Sequence, residues 1–163
     1  MILLAIDSGL EKTGYALFEK RNRNGVNPHL LESGLIKTAR NQVLQDRLAI
    51  VYIELEKKIR KYKPDLVVLE QLFFYHNQKT AIQVSQSQGV IMLLCSQYHI
   101  ETVFLTPLQI KQIITGYGQS DKKAVQKMLK LTLDLSIPPS RDDETDAIAC
   151  GLAYCYLNNN LVK

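Results

Sequence analysis

The chain has 163 residues, with 20 Lys and Arg against 16 Asp and Glu, a formal charge of +4. An apolar content of 46% supports a packed core and excludes a disordered chain. The length predicts one domain, 1–163. No apolar run reaches the roughly 18–20 residues of a bilayer span. The opening run Ile2–Ile6 stops at Asp7 and has no basic segment before it, so no secretory signal is expected and the cytoplasm is the expected location.

Ile2-Leu3-Leu4-Ala5-Ile6 is short and continuously apolar, as in a strand buried on both faces, and Asp7-Ser8-Gly9 closes it with turn chemistry. Tyr15–Glu19 and Leu30–Ile36 read as two more strands, joined by a polar hairpin loop over 21–28, so the chain opens as an antiparallel meander. Gln42–Lys61 is a predicted helix with Leu44, Leu48, Val51, Leu55 and Ile59 on one stripe. Its basic last turn (Lys57, Lys58, Arg60, Lys61) is read as complementing the helix dipole rather than as a DNA contact. Leu66–Leu69 is another buried strand, ending in Glu70.

Lys79–Tyr98 is the next predicted helix. Its second half is apolar nearly all round and needs cover on more than one side, with the sheet and a second subunit as candidates. Thr102–Leu105 is a short strand. Helices follow over Leu108–Ile114, Asp121–Leu133 and about Ser140–Leu157, after a break at Pro138-Pro139. The order implies an α/β domain with a mixed sheet in which the later strands lie parallel beside the first. Cys95, Cys150 and Cys155 are odd in number and sit in apolar stretches, which reads as reduced core thiols. The absence of CxxC or HxxxH spacing argues against structural zinc.

The chemistry lies in the acids. Asp7 and Glu70 each end an apolar strand, and ligand sites in open α/β sheets gather at the carboxyl ends of parallel strands. A third group, Asp142-Asp143-Glu144-Thr145-Asp146, opens the last helix. Asp143 and Asp146 are three apart and Asp142 and Asp146 four apart, so helical geometry alone selects neither Asp142 nor Asp143. Taken singly, each acid has a turn, ion-pair or capping role available. Converged, they would repel one another unless a hard divalent cation such as Mg²⁺ or Mn²⁺ joined them. Two such ions suit phosphodiester cleavage.

These residues resemble the RuvC family of Holliday-junction resolvases, within the RNase H-like fold. The resemblance rests on Ala5-Ile6-Asp7-Ser8-Gly9, Thr13-Gly14-Tyr15, Leu69-Glu70-Gln71 with Phe73, Gln88-Gly89, Ile110-Lys111-Gln112, Gly116-Tyr117-Gly118, Lys122 and Asp143-Glu144-Thr145-Asp146-Ala147, in that order. Ser8 stands where the family usually has Pro. The resemblance implies an RNase H-like five-stranded mixed sheet and a Mg²⁺-dependent endonuclease acting as a homodimer on four-way DNA junctions. It also implies a possible RuvA–RuvB branch-migration partner. Asp7, Glu70, Asp143 and Asp146 would be the metal ligands, with Asp143 rather than Asp142 chosen by alignment. By family position Lys111, Lys122 and Lys123 would approach the metals, and Lys111 and Lys122 would hold the scissile phosphate or stabilise charge developing on it.

Phe73-Phe74-Tyr75-His76 directly follows the Glu70 strand, and three consecutive aromatics in a loop are hard to bury together. One of them can stack on an unpaired base beside the metals, and by family position that residue is Phe73. Two other classes compete with the nuclease reading. An actin-like ATPase needs a second lobe and a second phosphate loop that 163 residues do not hold. A binding module without catalysis would leave bare carboxylates facing DNA phosphates, which weakens binding.

Overall fold

The computed structural model describes residues 1–20, 28–71, 78–133 and 142–157. Its strands are β1 (Ile2–Asp7), β2 (Lys12–Glu19), β3 (His29–Lys37), β4 (Leu66–Glu70) and β5 (Glu101–Leu105). Its helices are α1 (Leu44–Tyr62), α2 (Gln78–Gln97), α3 (Pro107–Thr115), α4 (Lys122–Leu133) and α5 (Asp142–Leu157). Residues 21–27 of the expected hairpin loop, the aromatic run Phe73–His76, the Pro138-Pro139 break and Ser140 lie outside the described residues.

The strands form one sheet in the order β3-β2-β1-β4-β5. β1, β2 and β3 pair antiparallel, while β1–β4 and β4–β5 pair parallel. This is the mixed sheet expected from the sequence. Close-coupled strands can run antiparallel, whereas β4 and β5 are each reached through a helix, the connection that a parallel neighbour requires.

Side-chain alternation splits the core in two. Leu3 and Ala5 of β1 join Phe18, Val68 and the helices α3, α4 and α5 on one face of the sheet. Leu4 and Ile6 join Leu17, Val67, Leu69 and the helices α1 and α2 on the other. The α1 stripe is narrower than the periodicity implied: Val51, Leu55 and Ile59 are buried, and Leu44 remains exposed at the helix start.

α5 is nearly enclosed, with Thr145, Ala147 through Ala153 and Cys155 all buried. Small residues permit this approach. A Cβ on Gly151 would fall 2.5 Å from the Phe18 ring, and one on Gly14 would fall 1.9 Å from the Asp143 carbonyl oxygen. The second contact presses the N-terminus of α5 onto β2 at the residue paired with Asp7. All three cysteines are buried and free, as core thiols should be.

Local signals set the helix ends beside the site. Thr106 caps α3 in a capping box with Gln109, Pro107 occupies the first turn, and Gly116 ends the helix at φ 80°. Asp121 stands just outside α4, where its Oδ1 accepts a hydrogen bond of 2.8 Å from the Ala124 N–H. On α2, Ile91, Leu94 and Cys95 face the core, but Ile82, Met92 and Leu93 are exposed. Among the described residues no helix is long and apolar enough to cross a membrane.

Candidate active site

The site forms where the sheet changes from antiparallel to parallel pairing. β1 and β4 run side by side with Ile6 opposite Leu69, and the next step of this register brings Asp7 and Glu70 to adjacent strand ends. Glu70 is steadied through its backbone, whose carbonyl accepts a bond of 2.9 Å from Gln88 Nε2 on α2. α5 crosses β2, β1 and β4, so its first turns reach both strand-end carboxylates. Asp7, Glu70, Asp143 and Asp146 are all half-buried.

The acids of α5 separate by environment. Glu144 is pinned to β3, accepting 2.7 Å from Ser33 Oγ. The Asp142 side chain is 70% exposed and lies 3.7 Å from Lys122 Nζ. Asp146 is half as exposed, 35%, and lies 3.5 Å from the same ammonium. Asp143 is among the negative charges felt by Asp7, together with Glu70 and Asp146. The tandem aspartates, equivalent by helical spacing, are therefore not equivalent in the fold.

Electrostatic stress is concentrated on Asp7. Burial, reinforced by Glu70, Asp146 and Asp143, pushes its carboxyl up to about 8. Glu70 rises to about 7, first through burial and then through Asp146, with Lys122 and Lys111 opposing the rise. Burial also raises Asp146 against the pull of Lys122. The Cys150 thiol is fully buried, and burial, followed by the charges of Glu70 and Asp7, raises it well above the ordinary thiol value.

Four half-buried carboxylates, with oxygen as their donor atom, fit a hard divalent cation. The carboxylates do not form a ready cage. Among the described residues no group of three His, Cys, Asp or Glu side chains is set to hold an ion. Lys122 is the cation toward which Asp146 turns.

Of the expected DNA-contact residues, Lys111 and Lys122 are brought to the acids. They line a cavity of about 180 Å³ with Glu70, Asp142 and Asp146. Lys123 is exposed and lines no site cavity among the described residues. Phe73 lies outside the described residues. Two basic residues escape the sequence reading. Lys12 and Lys37 border a second cavity, of about 540 Å³, shared with Lys122, Asp142, Asp143 and Asp146. Their only sequence signal is position, at the first residue of β2 and the last of β3.

Residues 3–155 match the family model described as crossover junction endodeoxyribonuclease RuvC. The chain belongs to the RuvC family. It is 43% identical over 157 residues to the crossover junction endodeoxyribonuclease RuvC of Caldicellulosiruptor saccharolyticus, covering 96% of this chain and 92% of that one. It is 41% identical over 154 residues to the Halothermothrix orenii protein of the same name, covering 94% of this chain and 92% of that one. The fold is similar to that of Thermus thermophilus RuvC in complex with a Holliday junction substrate, at TM-score 0.91 and 22% identity over 98% of this chain and 96% of that one. RuvC membership supports the RNase H-like fold expected from the sequence and implies dependence on a divalent metal. The actin-like ATPase alternative falls with it.

Proposed function

We propose that this RuvC-family chain is one nuclease domain that cuts four-way DNA junctions by metal-dependent phosphodiester hydrolysis. Asp7, Glu70, Asp143 and Asp146 would hold the metal, two Mg²⁺ ions per site with Mn²⁺ as a substitute. The observation that carries this reading is the pair of adjacent strand-end carboxyls. Burial and like charge push them to about 8 and about 7, and among the described residues the cations that offset them are those of Lys122 and Lys111.

The bound dications would supply water activation and stabilisation of the leaving oxygen. The chain supplies the rest. Asp7 and Glu70 are fixed by the β1–β4 register, so their carboxylates are oriented before substrate arrives. The N-terminus of α5 is fixed against Gly14, which sets the distance from Asp143 and Asp146 to β1. Lys111 and Lys122 face the scissile phosphate from the α3–α4 side and offset the negative charge that builds there in the transition state. Lys123, one residue further on, grips the backbone outside the site. Phe73, three residues past Glu70, stacks on a base unpaired at the junction.

A homodimer through the exposed Ile82, Met92 and Leu93 face of α2 would cover the apolar residues that the sheet does not. It would also present two equivalent sites to two equivalent strands, which makes the nicks symmetric. With chromosomal DNA as substrate, the cytoplasm is the place of action.

One assay tests the reading. A synthetic four-way junction is mixed with the protein, with and without Mg²⁺, beside the variants Asp7→Asn and Phe73→Ala, and the mass in solution is read by light scattering. The expected result is paired nicking that needs metal, runs at dimer mass and is lost in Asp7→Asn while junction binding persists. Phe73→Ala should slow cutting more than it weakens binding. Nicking by Asp7→Asn, or no nicking by the parent with any divalent ion, would overturn the proposal.

A further inference from the structure

Lys12 and Lys37 are Cα partners at the end of the β2–β3 ladder, so two ammonium side chains of like charge sit directly opposite each other. Such a pair is destabilising unless an anion lies between or above the two charges. Both are exposed, and neither forms a salt bridge among the described residues. The neighbouring Glu11 feels the charge of Lys12 but accepts its hydrogen bond, 2.6 Å, from Arg40. The basic residues at the end of α1 are treated differently. Lys57, Lys58, Arg60 and Lys61 each rest on a carboxylate of this chain, from Glu54, Glu32 or Glu56.

This pair, without a salt bridge among the described residues, shares a cavity with the acids. Lys12 and Lys37, from β2 and β3, line one cavity together with Asp142, Asp143 and Asp146 of α5, and Lys122 belongs to this cavity and to the one containing Lys111 and Glu70. The carboxylates are thus bracketed, by Lys111 and Lys122 on the α3–α4 side and by Lys12 and Lys37 on the β2–β3 side. A polyanionic strand laid across a cluster of carboxylates is repelled by it and needs cations on both flanks to stay in place.

We propose that Lys12 and Lys37 straddle a backbone phosphate of the cleaved strand, next to the scissile one, and so fix the path of that strand over the carboxylates. The pair acts by positioning and touches no reacting atom. The inference rests on the nuclease reading above and extends it to a second phosphate subsite.

The test compares Lys12→Ala/Lys37→Ala with Lys12→Arg/Lys37→Arg and with Lys57→Ala, a lysine already paired with Glu54. Junction affinity is measured over a range of salt, in Mg²⁺ and in an Asp7→Asn background, so that cutting does not confound binding. Nicking by the same variants with Asp7 intact is measured separately. Each phosphate that is no longer neutralised lowers the slope of log affinity against log salt by about 0.7–0.9. Removing both ammonium groups from one phosphate therefore predicts a fall of about 0.7–0.9 for the double alanine variant. KM for nicking should rise with kcat nearly unchanged, the arginine pair should restore both readouts, and Lys57→Ala should match the parent. A salt slope and KM equal to the parent's, in a parent that nicks the junction, would overturn this inference and leave the nuclease reading standing. A parent that neither binds nor nicks the junction would overturn both.

Discussion

Two carboxylate centres in this molecule answer the same problem in opposite ways. Glu32, on β3, accepts hydrogen bonds from Lys58, Tyr62, Lys61 and Tyr15, and these donors, led by Lys58, pull its carboxyl down to about 2. Asp7 and Glu70, on β1 and β4, are dominated by burial, followed by the charge of Glu70 at Asp7 and of Asp146 at Glu70, and are pushed up to about 8 and about 7. The first centre has its cations built in and holds α1 against the sheet. The second is left in charge deficit, a free-energy cost that the fold carries and that an added dication would relieve. A buried acid marks function here because its partner is missing, not because it is acidic.

The sharpest break between the centres is expected from their lysines. Lys122→Met, which removes the ammonium facing Asp142 and Asp146, should cut single-turnover nicking by about 10²-fold with binding reduced far less. Lys58→Met, which removes the first donor to Glu32, should leave the nicking rate unchanged and show its effect in denaturant melts. Equal losses of nicking in both variants would erase the distinction.

Stability against pH should run in opposite directions for the two. Asp7 and Glu70 have folded values above their ordinary 3.8 and 4.5, so between about pH 4 and pH 8 the folded chain binds more protons than the unfolded one. In chelator, their contribution is therefore greatest at low pH and is lost as pH rises toward 8. Urea melts without metal should show this decline, Asp7→Asn should flatten it, and Mg²⁺ should remove it. A metal-free decline between pH 5 and pH 8 that is equally steep in Asp7→Asn would contradict the assignment.

Glu32 has the reverse sign. Its depressed value gives stability that is fully present above about 4.5 and is lost as pH falls toward about 2. The smallest effect is thus expected of Glu32→Gln, a loss of about 1–2 kcal/mol at neutral pH after allowing for solvent screening of its partly exposed pairs. Melting at pH 7 and pH 3 checks it, because the variant and the parent should converge in acid.

Much of the site was legible because it is written in local terms. An apolar strand that ends in a carboxylate is visible at Ile2–Asp7 and again at Leu66–Glu70, and a helix opening on Asp142-Asp143-Glu144-Thr145-Asp146 is visible from composition alone. Helical spacing could not separate Asp142 from Asp143. In the fold, the first is drawn out toward Lys122 and the second adds to the charge on Asp7. For the basic run of α1, the helix dipole is an incomplete account. The charges of that run are answered by Glu54 and Glu56 within the helix and by Glu32 of β3.

The sequence by itself determined the elements, the mixed sheet and the three stretches of chain that carry the acids, because apolar periodicity and strand-end polarity act over a few residues. The tertiary structure decided which charges meet. Only the β1–β4 register brings Asp7 beside Glu70, only the close approach at Gly14 brings α5 to Asp7, and only the β2–β3 ladder sets Lys12 opposite Lys37. Charges act through space across a few ångströms while the residues that bear them stand tens of positions apart, so their balance is fixed by packing and cannot be summed along the chain.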